Sequence, residues 1–425
     1  MREMKDSGIE GIGEIPSDWK LSYLQYYADI VRGGSPRPIE KYMSDTEEGY
    51  NWIKIGDTTK GCRYITSVKE KIIAAGLTKT RRVSQGDLLL TNSMSFGEAY
   101  ILQVNGCIHD GWLAFSNLRN IDKNYLYYYL ISDSSKVQFE KSSDGGVVQN
   151  LNIDKVKHTY ICIPQIDEQK KIADFLDKKC AEIDILTSDI QKQIDTLEQY
   201  KKSVITEAVT KGLNPDAEMK VSGIEWVGQI PVSWHIHPVS IYFEERKNKN
   251  RLGKESNLLS LSYGQIIRKD INTIGGLLPE SFNTYNIVEK DDIIIRPTDL
   301  QNDKRSLRTG LVKEHGIITS AYIGLKPKRF VCSAYFHYLL HVYDVMKVFY
   351  NMGNGVRQGL NYSEFAKLML IAPSFDEQQE ITDYLDKKCS EIDTIISDKK
   401  KQLEVITEYK KSLIYEYVTG KKEVM

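Results

Sequence analysis

The sequence predicts an α+β protein built as an internal twofold repeat that carries two long helices. A phrase at 5–19 returns at 220–234, a shift of 215 residues, and a second phrase at 167–184 returns at 376–393, a shift of 209. In the second pair, 13 of 18 residues are identical. The segments between the repeated phrases resemble each other only faintly. A duplicated frame that holds two divergent inserts suits one task performed on two different targets.

The phrases at 167–184 and 376–393 each open a long predicted helix. Pro164 and Pro373 close strand-like runs, and acidic pairs follow three residues later, where carboxylates complement a helix dipole. Neither proline nor glycine occurs from there to Thr210 and Thr419. Apolar residues recur every seventh position, a pattern typical of a coiled coil. Two such helices, each roughly 60 Å long at ~1.5 Å per residue, would most simply pack on each other, and two separate amphipathic helices are the alternative.

The apolar residues of the heptad pattern lie at equivalent positions in the two predicted helices. They are Leu176, Ile183, Ile190, Leu197 and Val204 in the first helix and Leu385, Ile392, Ile406 and Leu413 in the second, which has Lys399 where the first has Ile190.

Bulk composition excludes several classes of protein. The 425 residues suffice for two or three cores, and 41% apolar with 27% charged residues is ordinary for a globular chain. No apolar run is long enough to span a membrane, and no secretory signal opens the sequence. The six cysteines show no C-x-x-C pairing, so a zinc site is not expected and a cytoplasmic location is predicted.

The net charge of −1 hides an uneven distribution. The inserts are basic, at +2 for 17–162 and +6 for 232–371, whereas every frame segment is negative. Basic inserts fit contact with phosphates, and an acidic frame fits protein partners. Chance scatter of a few charges is the alternative.

Both predicted helices end in nearly the same amino-acid sequence, at 200–210 and 409–419. Core packing explains matching apolar positions, but residues of exposed type match as well. We therefore predict a repeated docking surface for identical partner subunits, with recent duplication as the alternative. Its residues are Tyr200, Lys201, Lys202, Glu207, Tyr409, Lys410, Lys411 and Glu416.

Taken together, these phrases resemble the DNA-specificity subunit of type I restriction–modification systems. The resemblance rests on GIEWVGQIP at 223–231, the helix openings IPQIDEQ at 163–169 and APSFDEQ at 372–378, the two DKKC runs and the two YKKS endings, and it covers essentially the whole chain. It implies two target-recognition domains, each mixed α/β, separated by a pair of antiparallel helices. Each domain would read one half of a split DNA sequence.

The same resemblance implies partners and roles. The helices would set the distance between half-sites and dock two methyltransferase subunits, restriction subunits, up to two, would join that core, and the subunit itself would perform no chemistry. The domains would be 1–162 for the first target-recognition domain, 163–213 for the central helix, 214–371 for a linker with the second domain, and 372–425 for the distal helix.

Candidate DNA contacts lie in loops of both inserts. Arginine and lysine suit phosphates, arginine also suits guanine, and glutamine suits adenine. The loops are a basic glycine-rich segment at 31–38, a polar one at 91–97, a basic run at 296–308, and two related loops at 146–152 and 355–361. The candidates are Arg32, Arg37, Asn92, Ser93, Gln149, Arg296, Lys304, Arg305, Arg308, Arg357 and Gln358. Solvated loops and structural turns are the alternatives.

Catalytic motifs are missing from the sequence. No G-x-x-x-x-G-K-[ST] loop and no methyltransferase tetrapeptide of the N-P-P-aromatic type occurs, and the spaced histidines lack accompanying metal ligands. We expect no catalytic residue, metal or cofactor. A non-catalytic adaptor with two protein-binding domains on a helical rod is the alternative function, supported by the acidic frame.

Overall fold

The computed structural model describes residues 2–46, 48–59, 61–92, 97–141, 151–271, 279, 281–298, 300, 307–348, 352 and 359–424. The chain divides into two compact units, one of residues 1–191 with 401–425 and the other of residues 192–400. Each unit therefore contains one insert, the beginning of one long helix and the end of the other.

The elements of the first unit follow one another as a series of short strands and then helices. They are β1 (Met4–Asp6), β2 (Glu14–Pro16), β3 (Lys20–Tyr23), β4 (Asp29–Arg32), β5 (Met43–Ser44), β6 (Tyr50–Ile53), β7 (Tyr64–Ile65), β8 (Lys71–Ile72), β9 (Arg81–Val83), β10 (Leu88–Thr91), β11 (Ala99–Leu102), β12 (Gly106–Ile108), β13 (Trp112–Ser116), α1 (Lys123–Ile131), α2 (Asp133–Lys141), α3 (Ile153–Lys157), β14 (Tyr160–Ile163) and the start of α4 (Ile166–Lys211).

The second unit begins within α4 and repeats much of this order. Its elements are β15 (Met219–Val221), β16 (Gln229–Pro231), β17 (His235–Pro238), α5 (Val239–Tyr242), β18 (Phe243–Glu245), β19 (Leu259–Ser262), β20 (Gln265–Arg268), β21 (Asn286–Val288), β22 (Ile293–Ile295), β23 (Thr309–Leu311), β24 (Gly316–Ile318), β25 (Ile323–Pro327), α6 (Ser333–Val345), α7 (Tyr362–Phe365), β26 (Met369–Ala372) and the start of α8 (Phe375–Val418).

Both inserts share one sheet topology in the described parts of the chain. The first has the strand order β4-β13-β10-β11, with β7 added at the edge, and the second has β18-β25-β22-β23. The strands β10 and β22 lie in equivalent central places and are buried along their whole length. Apolar side chains at equivalent buried strand positions are sufficient to give one topology, although the inserts differ greatly in sequence.

A second set of strands also corresponds. The strand β12 pairs antiparallel with β9 and parallel with β6. In the second unit β24 pairs antiparallel with β21, and a parallel bridge joins Leu258, next to β19, to Ile317. By this correspondence β19 takes the place of β6.

The repeated phrases at 5–19 and 220–234 each form a hairpin followed by a buried tryptophan. The Nζ atom of Lys5 donates to the carbonyls of Ser17 and Trp19, both at 2.8 Å. Lys220 does the same in the second unit, at 2.6 Å to the carbonyl of Trp234. Trp19 and Trp234 are buried, so the repeated lysine ties the hairpin to the backbone around the tryptophan.

The glutamine of each D-E-Q phrase is a buried brace at the start of a long helix. Gln169 donates to the carbonyl of Pro164 at 3.0 Å and accepts from the Asp122 amide at 2.8 Å. Gln378 makes the same two bonds in the second unit, to the carbonyl of Pro373 and from the Cys332 amide, both at 3.0 Å. The phrase is therefore repeated because it joins a long helix to the segment that opens α1 or α6.

Within each unit, α4 and α8 pack antiparallel. In the first unit Lys410 pairs with Asp184 at 2.6 Å, and in the second Lys201 pairs with Asp393 at 2.6 Å. The predicted stripe is buried at Leu176 and Ile183, which belong to the same core as Leu413. The predicted fold class, an α+β chain with two mixed α/β domains, an internal repeat and long antiparallel helices, is confirmed.

A tyrosine in each unit fixes the far end of the other long helix. Tyr125 is fully buried, and its hydroxyl donates to the carbonyls of Cys162 at 2.8 Å and Val418 at 3.0 Å. Tyr335 occupies the equivalent place and donates to the carbonyl of Val209 at 3.3 Å. Each unit is thus closed by a helix end that comes from the other half of the sequence.

None of the helices in the described parts of the chain combines the length and the apolar character needed to cross a membrane.

Candidate nucleic-acid interface

The glycine-rich loop at 31–38 follows β4 and runs closely against neighbouring backbone. The amide of Gly33 donates to the carbonyl of Trp112 at 2.9 Å. A Cβ atom at Gly33 would lie 2.1 Å from the carbonyl oxygen of His109, which no side chain could tolerate. The glycine therefore lets the loop fold onto the sheet and places Arg32 and Arg37 at its two ends, both on the surface.

Both arginines meet Asp110. The Nε atom of Arg32 donates to the Asp110 carbonyl at 3.0 Å, and Ser35 donates to its carboxylate at 2.9 Å. The side chain of Arg37 is 82% exposed and lies 3.6 Å from the same carboxylate. An exposed ion pair of this kind contributes about 0–1 kcal/mol. Arg37 can therefore leave Asp110 for a phosphate at little cost.

A cleft of about 810 Å³ opens beside this loop. Its lining includes Arg37, Trp52, Lys54, Glu70 and His109, which come from distant parts of the sequence. Lys54 and Glu70 form an ion pair within it. The cleft thus combines cationic, acidic and aromatic groups next to two exposed arginines, an arrangement that can accept both a phosphate and the edge of a base.

His109 enters this cleft as a neutral imidazole. Burial lowers the pKa of His109 below its usual value, and the nearby carboxylate of Asp110 opposes that shift only in part. Its Nδ1 atom accepts from the Gly111 amide at 2.9 Å. A neutral ring held in this way leaves Nε2, 3.0 Å from the Asp110 carboxylate, as a polar group at the cleft wall. Sequence reasoning missed His109 and Lys54 as site residues because only strand pairing between β6 and β12 brings them together.

The position of Asn92 corrects one predicted DNA contact. Its side chain is 4% exposed and donates to the Asp110 carbonyl at 2.9 Å. Its backbone carbonyl accepts from the Leu151 amide at 2.8 Å. Asn92 therefore braces the sheet end, and its amide is not available for a base edge in this conformation.

Arg308 also has a different role from the predicted one. The residue is fully buried, and its guanidinium donates to backbone carbonyls of Thr298 and Arg296. The Arg296 amide donates in turn to the Arg308 carbonyl at 2.8 Å. The predicted phosphate contact is not available to Arg308 in this conformation, because its guanidinium is bonded to these backbone carbonyls inside the protein. Arg296 is half-buried at the same place.

Six further predicted DNA contacts lie outside the described residues. They are Ser93, Gln149, Lys304, Arg305, Arg357 and Gln358.

The predicted docking residues fall into two groups. Lys201 and Lys410 form the ion pairs with Asp393 and Asp184 that join the long helices, so helix packing is enough to explain why these two lysines are repeated. Tyr200 and Tyr409 are more exposed, at 54% each. Lys202 and Glu207 line a groove of about 420 Å³ on α4. In the other copy, Lys411 pairs with Glu408 at 2.6 Å and Glu416 with Lys422 at 2.8 Å.

Among the described residues, no three histidine, cysteine, aspartate or glutamate side chains gather as metal ligands would.

Comparison with known proteins gives the class of protein that has this fold. Residues 16–196 match the family model for the type I restriction modification DNA specificity domain. The whole chain is 26% identical to the type I restriction enzyme MjaX specificity subunit of Methanocaldococcus jannaschii, with 97% of this chain and 96% of that protein covered. The MjaVIII specificity subunit of the same organism is 24% identical over 96% of this chain and 94% of that protein.

Solved structures give the same architecture. One solved structure concerns complex assembly and conformational transition of the type I R-M system. A chain from it superposes on this one with a TM-score of 0.70 at 13% identity, covering 96% of this chain and 99% of that one. The HsdS subunit from Thermoanaerobacter tengcongensis superposes with a TM-score of 0.52 at 13% identity, covering 96% and 98%. These two likenesses concern the fold. With the family match and the relatives, the resemblance to type I specificity subunits is confirmed.

Proposed function

We infer that this chain is the DNA-specificity subunit of a type I restriction–modification complex. It binds double-stranded DNA and directs a methyltransferase, which supplies the chemistry, to its target. The observation that carries this conclusion is the end-to-end similarity to a type I specificity subunit, over 97% of this chain and 96% of that protein. The adaptor alternative has no comparable support.

Each insert reads one half of a bipartite target. The shared strand order supports this division, since one frame presents different loops in the two copies. Between β10 and β11 the sequence has no charged residue before Glu98, whereas the equivalent run between β22 and β23 includes Arg296, Lys304 and Arg305. Different side chains on an equivalent frame suit two half-sites of different sequence.

Affinity and specificity have separate sources in this arrangement. Exposed cations such as Arg32 and Arg37 contact phosphates and supply salt-dependent, sequence-independent binding. A small number of contacts to base edges, each contributing about 1–3 kcal/mol, supply the discrimination.

The long helices separate the two inserts and bind the partner subunits. The segments 163–213 and 372–425 set the gap between the half-sites. Tyr200 and Tyr409, each 54% exposed, are the centres of two equivalent docking surfaces, and two equivalent surfaces fit two identical methyltransferase subunits. Leu186 and Ile395, which are repeat equivalents and are 49% and 45% exposed, extend this apolar character. Restriction subunits join the assembled core.

Methylation mapping tests the proposed function. The genome of the host is mapped with the gene intact, with the gene deleted, and with the deletion complemented by the wild-type chain. We expect one gapped, two-part methylated motif to disappear on deletion and to return on complementation. A methylation map that deletion leaves unchanged would contradict the proposal.

A further inference from the structure

The second unit presents an exposed tyrosine at the tip of a tight hairpin. The strands β19 and β20 pair from Leu259↔Arg268 to Ser262↔Gln265, with only Tyr263 and Gly264 between them. The side chain of Tyr263 is 85% exposed, and its ring has no aromatic, hydrogen-bonding or ionic partner among the residues that the structure describes. Tight packing in the folded chain therefore does not account for this aromatic residue.

The backbone at this tip is also unfavourable for tyrosine. Tyr263 has a φ of 45° and Gly264 a φ of 79°, the two left-handed residues of a type I′ turn. Asparagine followed by glycine is the favoured pair for such a turn, and a bulky residue with positive φ is an outlier. A residue that is poor for the turn and contributes little to packing suggests a role outside the folded chain.

The hairpin is anchored on one face and free on the other. Leu261 and Ile266 lie over β23, where a Cβ atom added to Gly310 would come within 2.6 Å and 2.9 Å of their Cδ1 atoms. Gln265 and Ile267 are exposed on β20. The packed face holds the hairpin firmly in place, so its tip is presented in a defined position.

The tip also lies at the edge that carries the predicted basic loop. A Cβ atom added to Gly264 would come within 3.1 Å of the Cδ1 atom of Leu307, the residue before Arg308 at the end of the 296–308 run. Tyr263 and Gln265 flank Gly264 in sequence. The hairpin tip and the end of that run therefore meet.

The first unit differs at this same place. There β6, the equivalent of β19, pairs with β8 only after a connection over 54–70, which contributes Lys54 and Glu70 to the cleft. In the second unit the equivalent strand turns back at once through two residues. Since the strand frame is shared, this difference in the connection is one of the places where the two units could distinguish different half-sites.

From these observations we propose that the β19–β20 hairpin is the base-reading element of the second unit. It enters a groove of duplex DNA, where Tyr263 makes apolar contact with a base and Gln265 bonds to a base edge. A two-stranded ribbon fits the major groove, which is ~12 Å wide. The inference rests on the proposed function, since it assigns part of the DNA recognition to named residues.

The test compares Tyr263→Asn with a matched control, Phe330→Asn. Phe330 is 81% exposed and has a φ of 59°, as Tyr263 does, but it lies at another place in the same unit. Its ring also contacts the ring of Phe375, with 6.4 Å between the centroids, so packing accounts for an aromatic residue there. Asparagine relieves the backbone at both positions and gives the favoured Asn-Gly turn at 263, so loss of the hairpin fold cannot explain a loss of binding. Gln265→Ala is the third variant.

Complexes of each variant with the methyltransferase are measured against duplexes in which the half-sites of the wild-type target are randomised one position at a time. We expect Tyr263→Asn to weaken binding of the cognate duplex about 10-fold, and Gln265→Ala to reduce discrimination at one position of one half-site about 10- to 100-fold. Phe330→Asn should retain wild-type binding, and every variant should keep its preferences in the other half-site.

Two outcomes count against different conclusions. If the wild-type complex prefers a bipartite sequence and Tyr263→Asn and Gln265→Ala keep its affinity and all its preferences, the hairpin proposal is overturned alone. If the wild-type complex shows no bipartite preference at all, the proposed function is overturned, and the hairpin proposal with it.

Discussion

Lengthening both long helices should lengthen the gap between the half-sites that the protein accepts. The division of the chain into two compact units falls after Gln191 in α4 and after Lys400 in α8. One heptad inserted at each of these points leaves the contacts within each unit in place, including the ion pair of Asp184 with Lys410 and that of Lys201 with Asp393. The heptad also continues the apolar stripe, since it adds one full repeat.

The expected size of the change follows from helix geometry. Seven residues at ~1.5 Å each add about 10.5 Å, the length of about three base pairs at ~3.4 Å each. The same insertion turns a straight helix by only about 20° from an integral number of turns, whereas three base pairs turn the duplex by about 100°. Length therefore favours a longer gap, and rotation opposes it. We expect the variant to prefer a longer gap than the wild type and to bind its best target more weakly.

The assay is competition binding by the assembled complex on duplexes whose half-sites are constant and whose gap varies by one base pair. The control carries the heptad in α4 alone, where it makes the two helices unequal in length and should reduce assembly without defining a new gap. An unaltered preferred gap in a well-assembled double-insertion variant would refute the idea that the helices set the spacing.

Three further predictions follow from charge and burial. Replacing Arg32 and Arg37 by alanine should weaken DNA binding by the complex and reduce the slope of log affinity against log salt by about two, and an unchanged slope would argue against phosphate contact. Arg246→Ala removes bonds of 2.7 and 2.8 Å to the fully buried carboxylate of Asp292, whose pKa is already raised by burial. This variant should lower the free energy of unfolding, measured in urea, by about 3–5 kcal/mol, because it leaves a buried charge without its partner. The double variant that also carries Asp292→Asn should lose less stability. Burial lowers the pKa of His337 to about 4. The stability that the neutral imidazole contributes is therefore complete above about pH 6.5, and about 3 kcal/mol of it is lost as the pH falls toward 4. A His337→Leu variant should show a flatter dependence of the urea midpoint on pH in this range.

Much of the frame could be predicted because its signals are local or periodic. The heptad stripe, the acidic residues after Pro164 and Pro373, and the repeated phrases each specify an element from nearby residues alone. The structure also explains why certain polar residues are identical in the two copies. The lysine that meets Trp19 and the glutamine that braces each long helix recur because the same bonds are made twice.

The candidate site was harder to predict because its residues are exposed or buried according to contacts that are distant in sequence. Arg308 and Arg37 both lie in polar, basic runs, yet Arg308 is fully buried, whereas the side chain of Arg37 is 82% exposed. Asn92 lies in a polar run as well, but its side-chain amide donates to the Asp110 carbonyl inside the protein. The cleft beside Arg37 needs Lys54 and His109, which no spacing in the sequence connects.

By itself, the sequence determined that this protein is a repeated frame with two divergent inserts, because identical residues in identical order favour the same local structure. Only the tertiary structure decided which loop side chains face solvent, that Lys201 and Lys410 pair across antiparallel helices, and that one connection is a tight hairpin in one unit and a long excursion in the other. The physical reason is that exposure and pairing depend on packing between residues that are distant in sequence.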